Sequence, residues 1–192
     1  MWKSLGLNVL LAPIIVIAAV AAVAAQPRIG DFSVFLDDHD LTVHAVVFGA
    51  IPPSFDEGMK SGRPAHLRLR VELWQHNRMW PDRLLETRSI DRQIAYNVVT
   101  QEFRVASLAG ETRDTYTSRR LVDAQRVLSE LRGIKLLPTS PLDPAELFYV
   151  RIRAEVALGG ASSLLTRLSG EAEETGWVRS SLLTVSPQRR GQ

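Results

Sequence analysis

The 192-residue chain reads as mainly β: an antiparallel, sandwich-like domain with one covering amphipathic helix, preceded by an apolar N-terminal segment. Three observations lead there. Apolar and polar residues alternate along most of the chain, the period of a strand with one buried face. Only residues 118–131 carry apolar side chains at the three- and four-residue spacing of a helix. The strand-like stretches are not separated by regular helices, which disfavours a doubly wound parallel sheet.

Residues 1–25 stand apart. Lys3 is their only charge, and the run from Leu5 to Ala25 is apolar except for Asn8. It ends in Ala21-Ala22-Val23-Ala24-Ala25 before Gln26-Pro27. A basic start, an apolar middle and small residues at the end form the pattern of an export signal, with cleavage after Ala24 or Ala25. The same run, at 1.5 Å per residue, spans roughly 30 Å of helix and would also serve as an uncleaved membrane anchor. Either reading puts the remainder outside the cytoplasm, in the periplasm or cell envelope. Residues 26–185 are then expected to form a single β-rich domain, and residues 186–192 a disordered tail.

Within 26–185, Phe32, Val34 and Leu36 alternate, Asp37-Asp38-His39-Asp40 forms a turn, and Leu41, Val43, Ala45 and Val47 alternate again. Residues 31–49 therefore read as a hairpin. Pro52-Pro53 ends it. Ser54 is placed to cap a short helical turn that stops at Ser61-Gly62. In 64–76, Leu67, Leu69, Val71 and Leu73 point inward, and His66, Arg68, Arg70, Glu72 and Trp74 outward. In 84–97, Arg88, Ile90, Arg92, Ile94 and Tyr96 share one parity. Residues 98–101 turn the chain into Phe103 and Val105. Helix 118–131 presents Leu121, Ala124, Leu128 and Leu131 on one stripe, with Thr117 or Ser118 as its cap and Gly133 at its end. Pro138, Pro141 and Pro144 make a stiff connection. Phe148, Val150, Ile152, Ala154 and Val156 face inward on the next strand, and Tyr149, Arg151, Arg153 and Glu155 outward. Residues 164–176 fit neither period cleanly, and Trp177–Val185 reads as the last strand.

Composition removes several functions. The chain has no cysteine, so it holds no disulfide, thiolate nucleophile or Cys-ligated zinc. A net charge of +2 does not suit a nucleic-acid binder. There is no Gly-x-Ser-x-Gly elbow or Ser-x-x-Lys, and Gly159-Gly160 lacks the following Lys-Ser/Thr of a phosphate loop. Asp37, Asp38, His39 and Asp40 offer four metal ligands in a row, but consecutive hairpin side chains splay apart, and a solvated turn is the better reading. No catalytic residue and no cofactor is expected.

The outward faces are richer. Arg68 and Arg70 on one strand, with Arg151 and Arg153 on another, would form a basic patch if the strands are neighbours, and Trp74 and Tyr149 would add aromatic surface. The competing reading is an ordinary charged face in which Glu72 and Glu155 pair across strands. Trp80-Pro81-Asp82 reads as a loop tip, where Trp80 either packs over the sheet edge or serves as a contact residue.

The run Arg92-Gln-Ile-Ala-Tyr96-Asn-Val-Val-Thr100-Gln-Glu-Phe103-Arg-Val105 resembles a signature of the bacterial family called domain of unknown function 4390: an Arg, a Tyr and a Thr before an aromatic and an aliphatic strand residue. The resemblance covers about residues 30–156, taking in the later helix and the strand through Tyr149-Val-Arg151-Ile-Arg153. The carboxyl third departs from the family's usual Leu-Pro-type segment and Trp-rich last strand, with Gly159-Gly160, Leu164-Leu165 and the single Trp177. The resemblance implies an exported or membrane-tethered protein of no established activity. Genes of the family it resembles often lie beside a membrane sensor kinase of the nitrogen-regulation type, so the resemblance implies such a kinase as partner. It assigns Arg92, Tyr96, Thr100 and Phe103 no catalytic role. Tyr96 is expected to pack, Arg92 to bond across strands, and Thr100 to begin the next hairpin.

These readings point to a non-enzymatic extracytoplasmic interaction module that binds an envelope protein. A carrier or sensor for a small ligand or lipid, held between the sheets or under helix 118–131, is the alternative. An exposed aromatic patch would favour the first, and an apolar cavity of a few hundred Å³ the second.

Overall fold

The computed structural model describes residues 26–159 and 168–185. The export or anchor segment, the Gly160–Leu165 stretch and the tail from Ser186 lie outside the described residues. The described part is mainly β, with two antiparallel sheets and two short helices.

The first sheet begins with the expected hairpin, β1 (Arg28–Asp37) and β2 (Asp40–Phe48), and is completed by β7 (Glu130–Pro138) on the far side of β2. The second sheet runs β10 (Val178–Arg179), β8 (Leu147–Leu158), β3 (Ala65–His76), β4 (Arg83–Asn97), β5 (Glu102–Ala109) and β6 (Tyr116–Ser118), with β9 (Ala172–Glu174) also paired to β8. Leu41, Val43, Ala45 and Val47 of β2 share one buried apolar cluster with the inward rows of β3 and β8. All nine expected inward residues of β3 and β8 are buried. Each such burial contributes about 1.5–3 kcal/mol, so alternation at this density is sufficient to set which face turns in.

Helix α1 (Asp56–Lys60) follows a 3₁₀ turn at Pro53–Phe55, and Phe55 and Met59 anchor it in the core. Ser54 does not cap it; its hydroxyl reaches the Gly170 carbonyl instead. Helix α2 covers Leu121–Ser129, shorter than the expected 118–131. Ser118 belongs to β6, whereas Glu130 and Leu131 have already entered β7. Leu131 is buried as the stripe requires, but from a strand. Gly133 therefore ends no helix. It sits in β7 at φ +66°, where the pairing with β2 shifts between Ala45–Leu131 and Val43–Ile134. A bulge needs this left-handed backbone, which glycine adopts without steric cost.

The stiff connection is likewise shorter than expected, because Pro138 is the last residue of β7, paired with Asp40. The final segment is strand only at Val178–Arg179, with an isolated bridge from Leu183 to Phe148. Among the described residues no helix is long and apolar enough to cross a membrane.

Candidate functional site

Strands β3 and β8 are neighbours along their whole length. The register sets Arg68 opposite Glu155, Arg70 opposite Arg153, Glu72 opposite Arg151 and Trp74 opposite Tyr149. The four arginines do share one face, but it is not a basic patch. Arg68 pairs with Asp91 at 2.9 Å, Arg70 with Glu72 at 2.8 Å, Arg151 with the same Glu72 at 2.6 Å, and Arg153 with Glu174. Three carboxylates, from β3, β4 and β9, thus engage all four guanidinium groups, Glu72 serving two of them.

Glu72 lies on the outward parity of β3 yet is only 2% exposed. Arg70, Arg151 and the Trp74 indole, which donates at 2.8 Å, close over it. Burial pushes its carboxyl up, but hydrogen bonds from Arg151 and Trp74, with the charges of Arg151 and Arg70, outweigh that and hold it below the ordinary range.

Aromatic rings and guanidinium groups interleave on the same face. Trp74 stacks on Tyr149 with centroids 6.3 Å apart. Arg151 lies between Trp74 and Trp177, 4.4 and 4.3 Å from the two rings. Arg153 covers Trp177, and Arg179 covers Tyr149. Such contacts are worth about 0.5–2 kcal/mol each, so the ladder stiffens the outer face.

The loop between β3 and β4 continues this face. Asp82 accepts from the Asn77 amide at 3.0 Å and the Tyr149 hydroxyl at 2.9 Å, and also contacts His76. The Asn77 amide bond, followed by that of Tyr149, holds the Asp82 carboxyl below its ordinary range. Burial and the bond to Asp82 push the Tyr149 phenol up. Between these anchors Met79 and Trp80 are 91% and 80% exposed. Trp80 does not pack over the sheet edge.

The motif positions lie elsewhere. Arg92 turns into the interior with Ile90 and Ile94, and is 1% exposed. Its expected bond across strands is made to the first residue of β7, Glu130, in the other sheet rather than to a neighbour of β4. Its Nε and Nη2 form a bidentate pair with Glu111 at 2.5 and 2.8 Å, while Nη1 donates to the carbonyls of Leu128 and Glu130, both at 2.7 Å. Arg92 therefore holds the C-terminal end of α2, a helix terminus that needs donors. Tyr96 packs on Phe103 at 4.8 Å, and Thr100 occupies the β4–β5 turn.

Tyr96, Thr100 and Phe103 line a half-open groove of about 680 Å³ between the Ile51–Lys60 segment, the β4–β5 turn and the first turn of α2. Inward side chains of both sheets join one buried apolar cluster, and this groove lies at the α2 end of the fold. Sequence reading missed Asp82, Glu174 and Arg179 on the outer face, and Ile51, Met59 and Leu121 as groove walls. The Trp-Pro-Asp tip was a usable signal for Asp82; the other residues are joined only by chain crossings.

Among the described residues no three His, Asp or Glu side chains converge on a point that could hold a metal ion. Asp38 and His39 form the β1–β2 turn, and Asp40 pairs with Lys135 at 2.8 Å.

The fold and site together define a mainly β protein with an interleaved aromatic–arginine face and a separate groove beside α2. Residues 24–169 match the family described as a domain of unknown function (DUF4390), and the chain belongs to that family. The match takes in both β3–β8 and the groove, and stops before Trp177 and Arg179. Comparisons with curated proteins and with solved structures returned no match.

Proposed function

We propose that this is a non-enzymatic, extracytoplasmic envelope protein that acts as a protein-interaction module on a sandwich-like scaffold. Residues 1–25 would export it or tether it to the membrane. The single observation that carries the reading is the Met79–Trp80 tip: two large apolar side chains held almost fully in solvent on a loop clamped by Asp82. Exposed apolar side chains are ordinary when scattered; a clamped pair beside an aromatic face is a contact surface prepared in advance of binding. Trp80 would be the anchor, Trp74 and Trp177 the adjoining surface over the buried Tyr149, and Arg68, Arg70, Arg151 and Arg153 the polar surround. The partner would be an envelope protein, with the sensor domain of a membrane kinase as the first candidate.

The test is photocrosslinking in native membranes from position 80, with position 104 on the opposite end of the second sheet as control. The reading expects one envelope protein captured from position 80, absent from position 104, and lost when Asp82→Ala unclamps the tip. Equal capture from both positions, or lipid alone at position 80, overturns it.

A further inference from the structure

The groove beside α2 has a division of polarity that the outer face lacks. Its walls are apolar: Met59 is buried, and Ile51, Tyr96, Phe103 and Leu121 are half-buried. Every charged or amide side chain on its lining is exposed at the mouth. Lys60 and Asp56 bind each other at 2.6 Å and cancel. Arg119 is 80% exposed, and among the described residues its ion pair is a 3.5 Å contact with Glu102. The lining therefore carries one loosely engaged positive charge beside an apolar stripe of Ile51, Met59, Phe103 and Leu121, with the Tyr96 and Thr100 hydroxyls on its flank.

Size narrows the class further. A methylene occupies about the volume of a water molecule in the liquid, ~30 Å³. A single chain of about sixteen to eighteen carbons then needs roughly 500 Å³, which the 680 Å³ groove accommodates with its mouth open. Each methylene taken from water contributes about 0.8 kcal/mol. The mouth itself is apolar on one side, where Val98 and Val99 of the β4–β5 turn are 58% and 87% exposed. Two exposed valines on a turn beside a loosely held arginine suit contact with an interfacial amphiphile better than contact with water.

We propose that this groove binds one long-chain fatty acid, its acyl chain along Met59, Tyr96 and Phe103 and its carboxylate at Arg119. The site is independent of the Met79–Trp80 contact surface, so either can fail alone. It also gives the family motif a use: Tyr96, Thr100 and Phe103 shape the groove, whereas Arg92 holds the helix whose first turn closes it.

The experiment uses the full chain in liposomes containing a trace of diazirine-bearing palmitic acid. After irradiation, adducts are mapped by mass spectrometry. The expected adducts concentrate on Met59, Tyr96 and Phe103 and are competed by unlabelled palmitate. Thr100→Trp, which fills the groove from an exposed turn, should lower them roughly tenfold, and Arg119→Glu about fivefold, with circular dichroism and melting unchanged. A diazirine alkane without the carboxylate should label the groove no better in wild type than in Arg119→Glu. Adducts confined to residues 1–25, adducts unaffected by Thr100→Trp, or groove labelling by a diazirine phospholipid but not by the fatty acid would each overturn the proposal.

Discussion

Arg92 Nη1 lies 2.7 Å from the carbonyl oxygen of Leu128, joining the middle of β4 to the last turn of α2. Arg113 adds a second guanidinium to the same helix end through the Val127 carbonyl, at 2.7 Å. Burial, and then the nearby Arg92 charge, lower the pKa of Arg113. Glu111 supplies the carboxylate that pairs with the buried Arg92 guanidinium. Two arginines and one glutamate thus hold the point where the chain leaves the helix and crosses to β7.

Arg92→Leu should therefore destabilise the protein by about 3–5 kcal/mol, because Glu111 and the helix carbonyls all lose their buried partner. Arg92→Lys should recover only part of this, since a single ammonium cannot serve Glu111 and two carbonyls in the same fork geometry. Urea unfolding measures both. A loss below about 1 kcal/mol for Arg92→Leu would refute the assignment.

Glu72 makes stability depend on pH. Its folded-state pKa lies below the ordinary 4.5, so its contribution is complete above that value and is lost as pH falls through the lower, folded-state value. Glu72→Gln should cost about 2–3 kcal/mol at pH 7, from two arginines and an indole left facing a neutral amide. The gap between wild type and variant should narrow in melts taken from pH 5 down to pH 3. A gap constant over that range would mean that another carboxylate controls the acid limb.

Gly110 takes φ +84°, and a Cβ built there would meet the Ser89 carbonyl oxygen at 1.9 Å. Backbone cannot swing aside as a side-chain end can. Gly110→Ala should separate the end of β5 from β4 and destabilise by about 2–4 kcal/mol, read as a lowered melting temperature. Gly176→Ala, with nothing within 4 Å and no positive φ, is the control and should change little.

Trp80→Ala should leave stability within about 0.5 kcal/mol of wild type, because the indole is 80% exposed and contributes little to the core. The same change should abolish capture of the envelope partner. A variant that unfolds would show that the ring is a packing residue after all.

The strands β3, β4 and β8 could be read directly from the residues. Their alternation is a local property of the chain, and the nine inward side chains of β3 and β8 are buried as the period requires. The same logic misread residues 130–138. Glu130-Leu-Arg-Gly133-Ile-Lys-Leu136-Leu breaks its period at the bulge, so it continued the helical stripe on one side and passed for a connection on the other. Strands β6 and β9, of three residues each, are too short to carry a period at all.

Arg92 shows the same limit at the site. Parity alone put it on the face of Ile90 and Ile94, but not what it would meet there: Glu111, the Leu128 carbonyl of α2 and the Glu130 carbonyl of β7 are 19 to 38 residues away along the chain. The groove depends on three such distant segments. What the chain carries by itself is which side chains share a face, since the pleat sets that within a few residues. Which strands are neighbours, which charges cancel and where a cavity is left are set by long-range packing. That is why four arginines whose residues alone allowed either a basic patch or an ordinary charged face become, once β8 lies against β3, a row of ion pairs in which Glu72 pairs across strands, with aromatic rings interleaved above it.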